Sequence, residues 1–135
     1  MSACAYVGSQ THIYNDSLRN NLTLWNEAIT DTHIKEALER VNLLSFLSRI
    51  DEQVSDGSFS EGQKQRIGLI RAFLKGSSVV IFDEATANLD HKNATRIEHL
   101  LLSDPNITYI TVTHHLIKEN EPYFDEIIRL GEGTE

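Results

Sequence analysis

The sequence predicts an α/β fold: a mainly parallel sheet with helices packed on it, preceded by a largely helical block. Three observations carry this. Val79-Val80-Ile81-Phe82 is a short, continuously apolar run of the kind buried in parallel sheets, and Ile107 to Val112 reads as a second buried strand. Between and around them, apolar residues recur at helical spacing, so helix and strand alternate through the second half. The first half, from about residue 14 to 60, reads as helices and loops.

Taken in order, Cys4-Ala5-Tyr6-Val7 reads as a short buried strand ending at Gly8, with Ser9-Gln10 in the loop beyond it. Asp16 or Ser17 caps a short helix through Leu22. Thr30-Asp31 opens a longer one, in which Ile34, Ala37, Leu38 and Val41 share a face. Leu43, Leu44, Phe46, Leu47 and Ile50 predict another apolar-faced helix. The polar stretch 51–58, which holds Gly57, predicts a loop. From Glu61 to Leu74 the period is helical, with Ile67, Ile70, Phe73 and Leu74 on the apolar side and Gly76 as the terminator. After the strand Val79 to Phe82, Asp90 caps a helix that runs to Leu102 and stops ahead of Pro105. Ile107 to Val112 is the next strand, and Phe124 to Leu130 is expected to form a third.

Composition narrows the partners. Twelve basic against 20 acidic residues leave a net charge of −8, with the basic side chains scattered. That argues against nucleic acid as the main partner, because phosphate backbones need concentrated Lys and Arg. A single cysteine, Cys4, can form no disulfide within the chain, and no zinc-type spacing occurs. His12, His33, His91 and His99 show no metal-ligand pattern and are expected at the surface. No apolar run approaches the roughly 20 residues that cross a bilayer, and the start has no signal-peptide pattern. No direct membrane insertion of this segment is expected.

The chemistry concentrates in two places. Ser60-Glu61-Gly62-Gln63 opens a helix, where backbone N–H groups favour an anion such as phosphate. The same Ser-x-x-Gln spacing is also a capping box. Asp83 and Glu84 end an apolar strand, which places one carboxylate to support Mg²⁺ and another to handle a water proton.

With Lys64-Gln65-Arg66 after the turn and Asn88-Leu89-Asp90 after the acids, the series resembles the second half of an ATP-binding-cassette (ABC) ATPase domain. The resemblance covers the chain from Gln10 to about Gly131. It implies a partial P-loop NTPase (ABC ATPase) fold, with residues 1–13 and 61–135 in the α/β core and about 14–60 forming the helical subdomain. It implies ATP and Mg²⁺ as cofactors. Gln10 then corresponds to the Q-loop glutamine, which contacts Mg²⁺ and the attacking water. Ser60, Gly62 and Gln63 belong to the signature loop, usually Leu-Ser-Gly-Gly-Gln, which faces the γ-phosphate bound by an opposing subunit. Phe59 replaces its leucine and Glu61 its first glycine, so Glu61 must point to solvent or weaken that contact. Asp83 supports Mg²⁺ through its water shell and Glu84 orients or deprotonates the attacking water, as a Walker B pair. Ala87-Asn88-Leu89-Asp90 resembles the D-loop, where Asp90 sets the dimer contact while also capping a helix. His114 corresponds to the switch histidine, with His115 where the family often has arginine. Asn15-Asp16-Ser17-Leu18-Arg19-Asn20-Asn21-Leu22 resembles the segment after the Q-loop in exporter-type proteins.

No phosphate-gripping loop of the form G-x-x-x-x-G-K-S/T occurs. In Gly57-Ser58-Phe59-Ser60-Glu61-Gly62 the spacing is approached, but Gln63 stands where lysine is needed and no strand precedes. The expectation is therefore a Q-loop-to-H-loop fragment of an ABC-transporter ATPase, coupling ATP hydrolysis to export. It would pair head-to-tail with a second such domain and sit on the cytoplasmic side of the membrane through transmembrane transport domains. Alone, the chain is expected to be inactive. Two alternatives stand beside this: a non-catalytic, truncated interaction module, and the C-terminal lobe of a chromosome-maintenance or DNA-repair ATPase. Gln10 joined directly to the helical block, together with the acidic charge, counts against the second.

Overall fold

Residues 4–8, 11–83 and 89–131 are described by the computed structural model. Cys4–Val7 (β1) begins a parallel sheet. Asp16–Ser17 (β2) leads into the helix Leu18–Thr23 (α1), whose N-cap is Ser17: its Oγ accepts from Asn20 N at 3.0 Å. Asp31–Arg40 (α2) is capped by Thr30, again through a side-chain oxygen, and buries Ile34, Ala37 and Leu38. The expected helix after Leu43 is a 3-10 segment, Leu44–Arg49, with no side-chain cap at its start. Asn42, left-handed at φ 60°, breaks the chain just before it. Six residues without a cap cannot repay the cost of an α-helical nucleus.

The stretch 51–58 is more ordered than a loop. Gln53–Val54 (β3) pairs antiparallel with β2, and Asp56–Ser58 makes a 3-10 turn. Glu61–Lys75 (α3) follows, ending where Gly76 takes φ 75° as a left-handed cap. Val79–Asp83 (β4), His91–Ser103 (α4) and Thr108–Val112 (β5) complete the alternation, and Lys118–Tyr123 is a final 3-10 segment.

The sheet order is β1-β4-β5, all parallel, with Val7 opposite Phe82 and Asp83 opposite Val112. The expected strand from Phe124 to Leu130 does not form. Phe124 packs on the Tyr109 ring at a centroid distance of 6.1 Å, and beyond it Ile128 and Leu130 are 71% and 85% exposed. The 3-10 segment thus carries the chain onto the helix-covered side of β5 rather than along its edge, where a ladder would need it.

One buried cluster joins the two halves: Leu18, Leu22, Ile34, Leu38 and Phe46 meet Ile67, Ile70, Val80, Phe82 and Ile97. Each such side chain contributes about 1.5–3 kcal/mol by leaving water. Asn21, fully buried, adds polar order: its amide donates to the Tyr14 and Ser17 carbonyls, and Arg71 of α3 donates to the Asn21 carbonyl at 2.7 Å. Among the described residues the sheet is covered on one face only. Val7, Val80 and Phe82 point into the core, whereas Tyr6, Ile110 and Val112 on the other face are 65%, 46% and 56% exposed.

Candidate functional site

Parallel strands carry their loops at the C-terminal edge of the sheet, where Asp83 ends β4 and His114 follows β5. Asp83 is the last residue of β4. Its Oδ2 accepts a hydrogen bond from the Tyr6 hydroxyl at 2.5 Å, and this bond holds the Tyr6 phenol above its usual pKa. Tyr6 lies opposite Ile81, so it shares the open sheet face with Asp83 across adjacent strands. The Tyr6 ring also lies over Gly8, where an added Cβ would sit 2.9 Å from Cε2. Glycine at that position is what lets the tyrosine reach the carboxylate.

Val112 pairs with Asp83, and His114 follows two residues later in the exposed loop beyond β5. Thr113 shapes that loop: its Oγ1 accepts from His115 N at 2.9 Å and donates to the His115 carbonyl at 3.1 Å. Gln10 and Glu84, the expected Q-loop glutamine and Walker B glutamate, lie outside the described residues, as do Ala87 and Asn88.

The second group sits at the start of α3. Ser60 and Gln63 form a full capping box: Ser60 Oγ accepts from Gln63 N at 3.1 Å, and Ser60 N donates to Gln63 Oε1 at 2.9 Å. Ser60 is exposed and Gly62 is buried. The Glu61 and Gly62 N–H groups precede the first i−4 bond of the helix, so they are aimed forward with no intrahelical acceptor. Glu61 points outward to Lys64 at 2.8 Å, and Asp56 binds the same ammonium at 3.2 Å. The acid in this turn is thereby neutralised locally, which raises the Lys64 pKa.

Asp90 caps α4, with Oδ1 accepting from Asn93 N at 2.8 Å and Oδ2 from the Asn93 amide at 2.9 Å. Those bonds hold it below the usual carboxylate range, with help from the charge of Arg66. Arg66 is half-buried, and burial lowers its pKa. It donates to the Val41 carbonyl at 3.3 Å and the Gly62 carbonyl at 3.4 Å. Arg66 therefore links the turn at Ser60, the end of α2 and the Asp90 cap.

Sequence reasoning missed Tyr6, Arg66, Arg71 and a buried set around Glu98. Tyr6 had a signal, since residues that face each other on adjacent strands share a side of the sheet. The others act through tertiary neighbours that no local pattern encodes. Among the described residues no cluster of three or more His, Cys, Asp or Glu could cage a metal ion. A single strand-end carboxylate with one oxygen free of Tyr6 still fits Mg²⁺, which is held by one or two carboxylates plus phosphate oxygens and water.

The family profile described as ABC transporter matches residues 3–87, more than half of the 135. The chain is similar to a probable ABC transporter ATP-binding/permease protein of Haemophilus influenzae, 33% identical over 96% of this chain and 24% of that protein. It is also similar to an ATP-dependent lipid A-core flippase of Francisella novicida, 31% identical over 85% of this chain and 21% of the relative. A bacterial Atm1-family ABC exporter solved with ATP bound superimposes with a TM-score of 0.78 at 22% identity, over 88% of this chain and 22% of the exporter, which shows a shared fold. This chain therefore spans about a quarter of the length of the curated relatives it matches.

Proposed function

The chain belongs to the ABC transporter family, and from that premise we propose that it is the Q-loop-to-H-loop part of an ATPase domain that couples ATP hydrolysis to export. The observation that carries the reading is the register placing Asp83 beside Val112, with His114 two residues on. One strand end thus offers a carboxylate and its neighbour an imidazole, at the edge where phosphates bind in such sheets. The open face of the sheet supports it too. Parallel sheets are covered on both faces, and Tyr6, Ile110 and Val112 await the layer that a phosphate loop and its helix would supply.

In this reading residues 14–60 are the helical subdomain, and 1–13 with 61–135 belong to the α/β core. Asp83 would hold Mg²⁺ through the ion's water shell. Bound Mg²⁺ neutralises charge developing on the phosphates. Glu84 orients and accepts a proton from the attacking water, Gln10 contacts that water, and His114 donates to the γ-phosphate. Ser60 and Gly62, with Gln63 fixing the turn, address the γ-phosphate of a second domain arranged head-to-tail, and Asp90 sets the contact between the two. Transmembrane domains hold the assembly on the cytoplasmic side of the membrane. Among the described residues no helix is long and apolar enough to cross it.

The test is steady-state ATP turnover by the full-length protein that carries this chain. Glu84→Gln and His114→Ala are each expected to lower kcat by about a hundredfold or more while ATP still binds, in line with loss of a positioned base or donor. Turnover unchanged in both variants would sink the reading.

A further inference from the structure

Glu98 is 4% exposed on α4, yet both of its hydrogen-bond partners among the described residues are neutral. Its Oε2 accepts from the Tyr109 hydroxyl at 2.7 Å, and its Oε1 accepts from Asn120 Nδ2 at 3.1 Å. Asn120, 2% exposed, also donates to the Thr95 carbonyl at 3.1 Å. Three elements therefore meet on one carboxylate: α4, β5 and the last 3-10 segment. Burying a carboxylate is unfavourable, and an apolar side chain would fill the same space without that penalty. Only a carboxylate of this length gives two acceptor oxygens to two separate donors; a glutamine offers one.

The two donors bracket one residue of the proposed site. Tyr109 stands five positions before His114 and Asn120 six after it. Tyr109 also packs edge-on against Phe82, the neighbour of Asp83, at 5.6 Å between centroids. Around Asn120 the same segment is pinned to α4 by the His91–Glu119 contact at 2.8 Å and by Tyr123 against His99 at 4.7 Å. The helix at the base of this clamp is the one that Asp90 caps.

We infer that Glu98 is a positioning residue for His114: one buried carboxylate clamps both ends of the segment that bears the histidine onto the helix capped by Asp90. The inference rests on reading His114 as a γ-phosphate contact only for its consequence; the clamp itself is a property of this chain.

Amide hydrogen exchange and the ¹³C–¹H signal of the His114 ring, recorded on the full chain, test it. Glu98→Gln removes one acceptor and should speed exchange across residues 113–123 about tenfold or more, shift and broaden the His114 signal, and leave β4 protected. Protection of β4 in the same variant is the control, because a general weakening of the core would speed exchange there as well. Should Glu98→Gln unfold the chain, Tyr109→Phe and Asn120→Ala each remove one arm and are read in the same way. Exchange and His114 signal unchanged within twofold in folded variants would overturn the inference. Turnover of His114→Ala is scored separately, so failure of the clamp and failure of the proposed function are told apart.

Discussion

The proposed function gives Ser60 two roles on one oxygen, and two substitutions separate them. Its Oγ caps α3 by accepting from Gln63 N at 3.1 Å, and in the proposed dimer the same hydroxyl meets a γ-phosphate. Ser60→Ala removes both. The reciprocal bond from Ser60 N to Gln63 Oε1 at 2.9 Å survives, so the stability loss belongs near the middle of the usual range for N-caps, about 1 kcal/mol. With a urea m-value of about 1.5 kcal/mol/M, the midpoint should fall by about 0.7 M. Ser60→Gly also lacks the hydroxyl but suits an N-cap, at a loss of a few tenths of a kcal/mol. Its urea midpoint should therefore lie within about 0.2 M of the parent. Turnover should follow the hydroxyl instead. A hydrogen bond to a charged group contributes about 1.5–3 kcal/mol, so both variants of the full-length protein should lose roughly ten- to a hundredfold in kcat/KM. Urea unfolding of the chain and ATPase assays of the full-length protein give the two series. If Ser60→Gly regains turnover along with stability, the hydroxyl is a helix cap and nothing more.

Other consequences follow from the same structure. Asn21→Ala strips four hydrogen bonds from a fully buried site and leaves Tyr14 N without its acceptor, so urea unfolding should show a loss of about 2–4 kcal/mol; a change under about 0.5 kcal/mol would contradict the network. Gln65 is 2% exposed, and neither of its amide atoms has a partner among the described residues, so Gln65→Met should raise the thermal midpoint of the chain; a lower midpoint would show that the amide finds a partner elsewhere. Asp16, Asp51 and Asp90 are all held below the usual range, chiefly by the Asn20 amide, the Arg19 guanidinium and Asn93 N respectively. Because their folded values lie below their unfolded ones, that stabilisation is complete above about pH 4 and is lost as pH falls through the folded values. The urea midpoint should drop on acidification below about pH 4, less steeply in Asp90→Asn. Finally, the 135 residues alone should show no steady ATP turnover, because they contain no G-x-x-x-x-G-K-S/T loop; turnover abolished by Glu84→Gln would refute this.

What was legible in the sequence was what is decided locally. Ser17, Thr30, Ser60 and Asp90 cap helices through their own side chains, and Gly76 stops one by taking φ 75°. The strands at Val80 and Ile110 announced themselves as runs rich in β-branched and aromatic residues. Leu44–Arg49 and the residues after Phe124 were less legible, since their apolar residues fit helix or strand equally and the outcome turned on Asn42 and on where Tyr109 stands. Apolar strands also gave no hint that one sheet face would be open. At the site, the order of Ser60, Asp83, Asp90 and His114 along the chain was readable. The contacts of Tyr6 with Asp83, Arg66 with Gly62, and Glu98 with Asn120 join residues 77, 4 and 22 positions apart, and only the first had a strand-parity signal. Arg66 was near in sequence, but its useful partners, Val41 and Asp90, come from other elements.

The most direct measurement of the central claim is subunit complementation in the full-length protein. Ser60→Arg blocks the signature turn and Asp83→Asn removes the metal-supporting carboxylate, so each homodimer should be nearly inactive. Mixed dimers of the two variants contain one site carrying both lesions and one site carrying neither. The account predicts that mixing restores ATP turnover to a substantial fraction, about a quarter of the parent for random pairing in which half the dimers have one intact site. Turnover that stays at the level of the separate variants, in dimers shown to be mixed, would mean that Ser60 and Asp83 serve the same nucleotide within one subunit, and the head-to-tail assignment would be wrong.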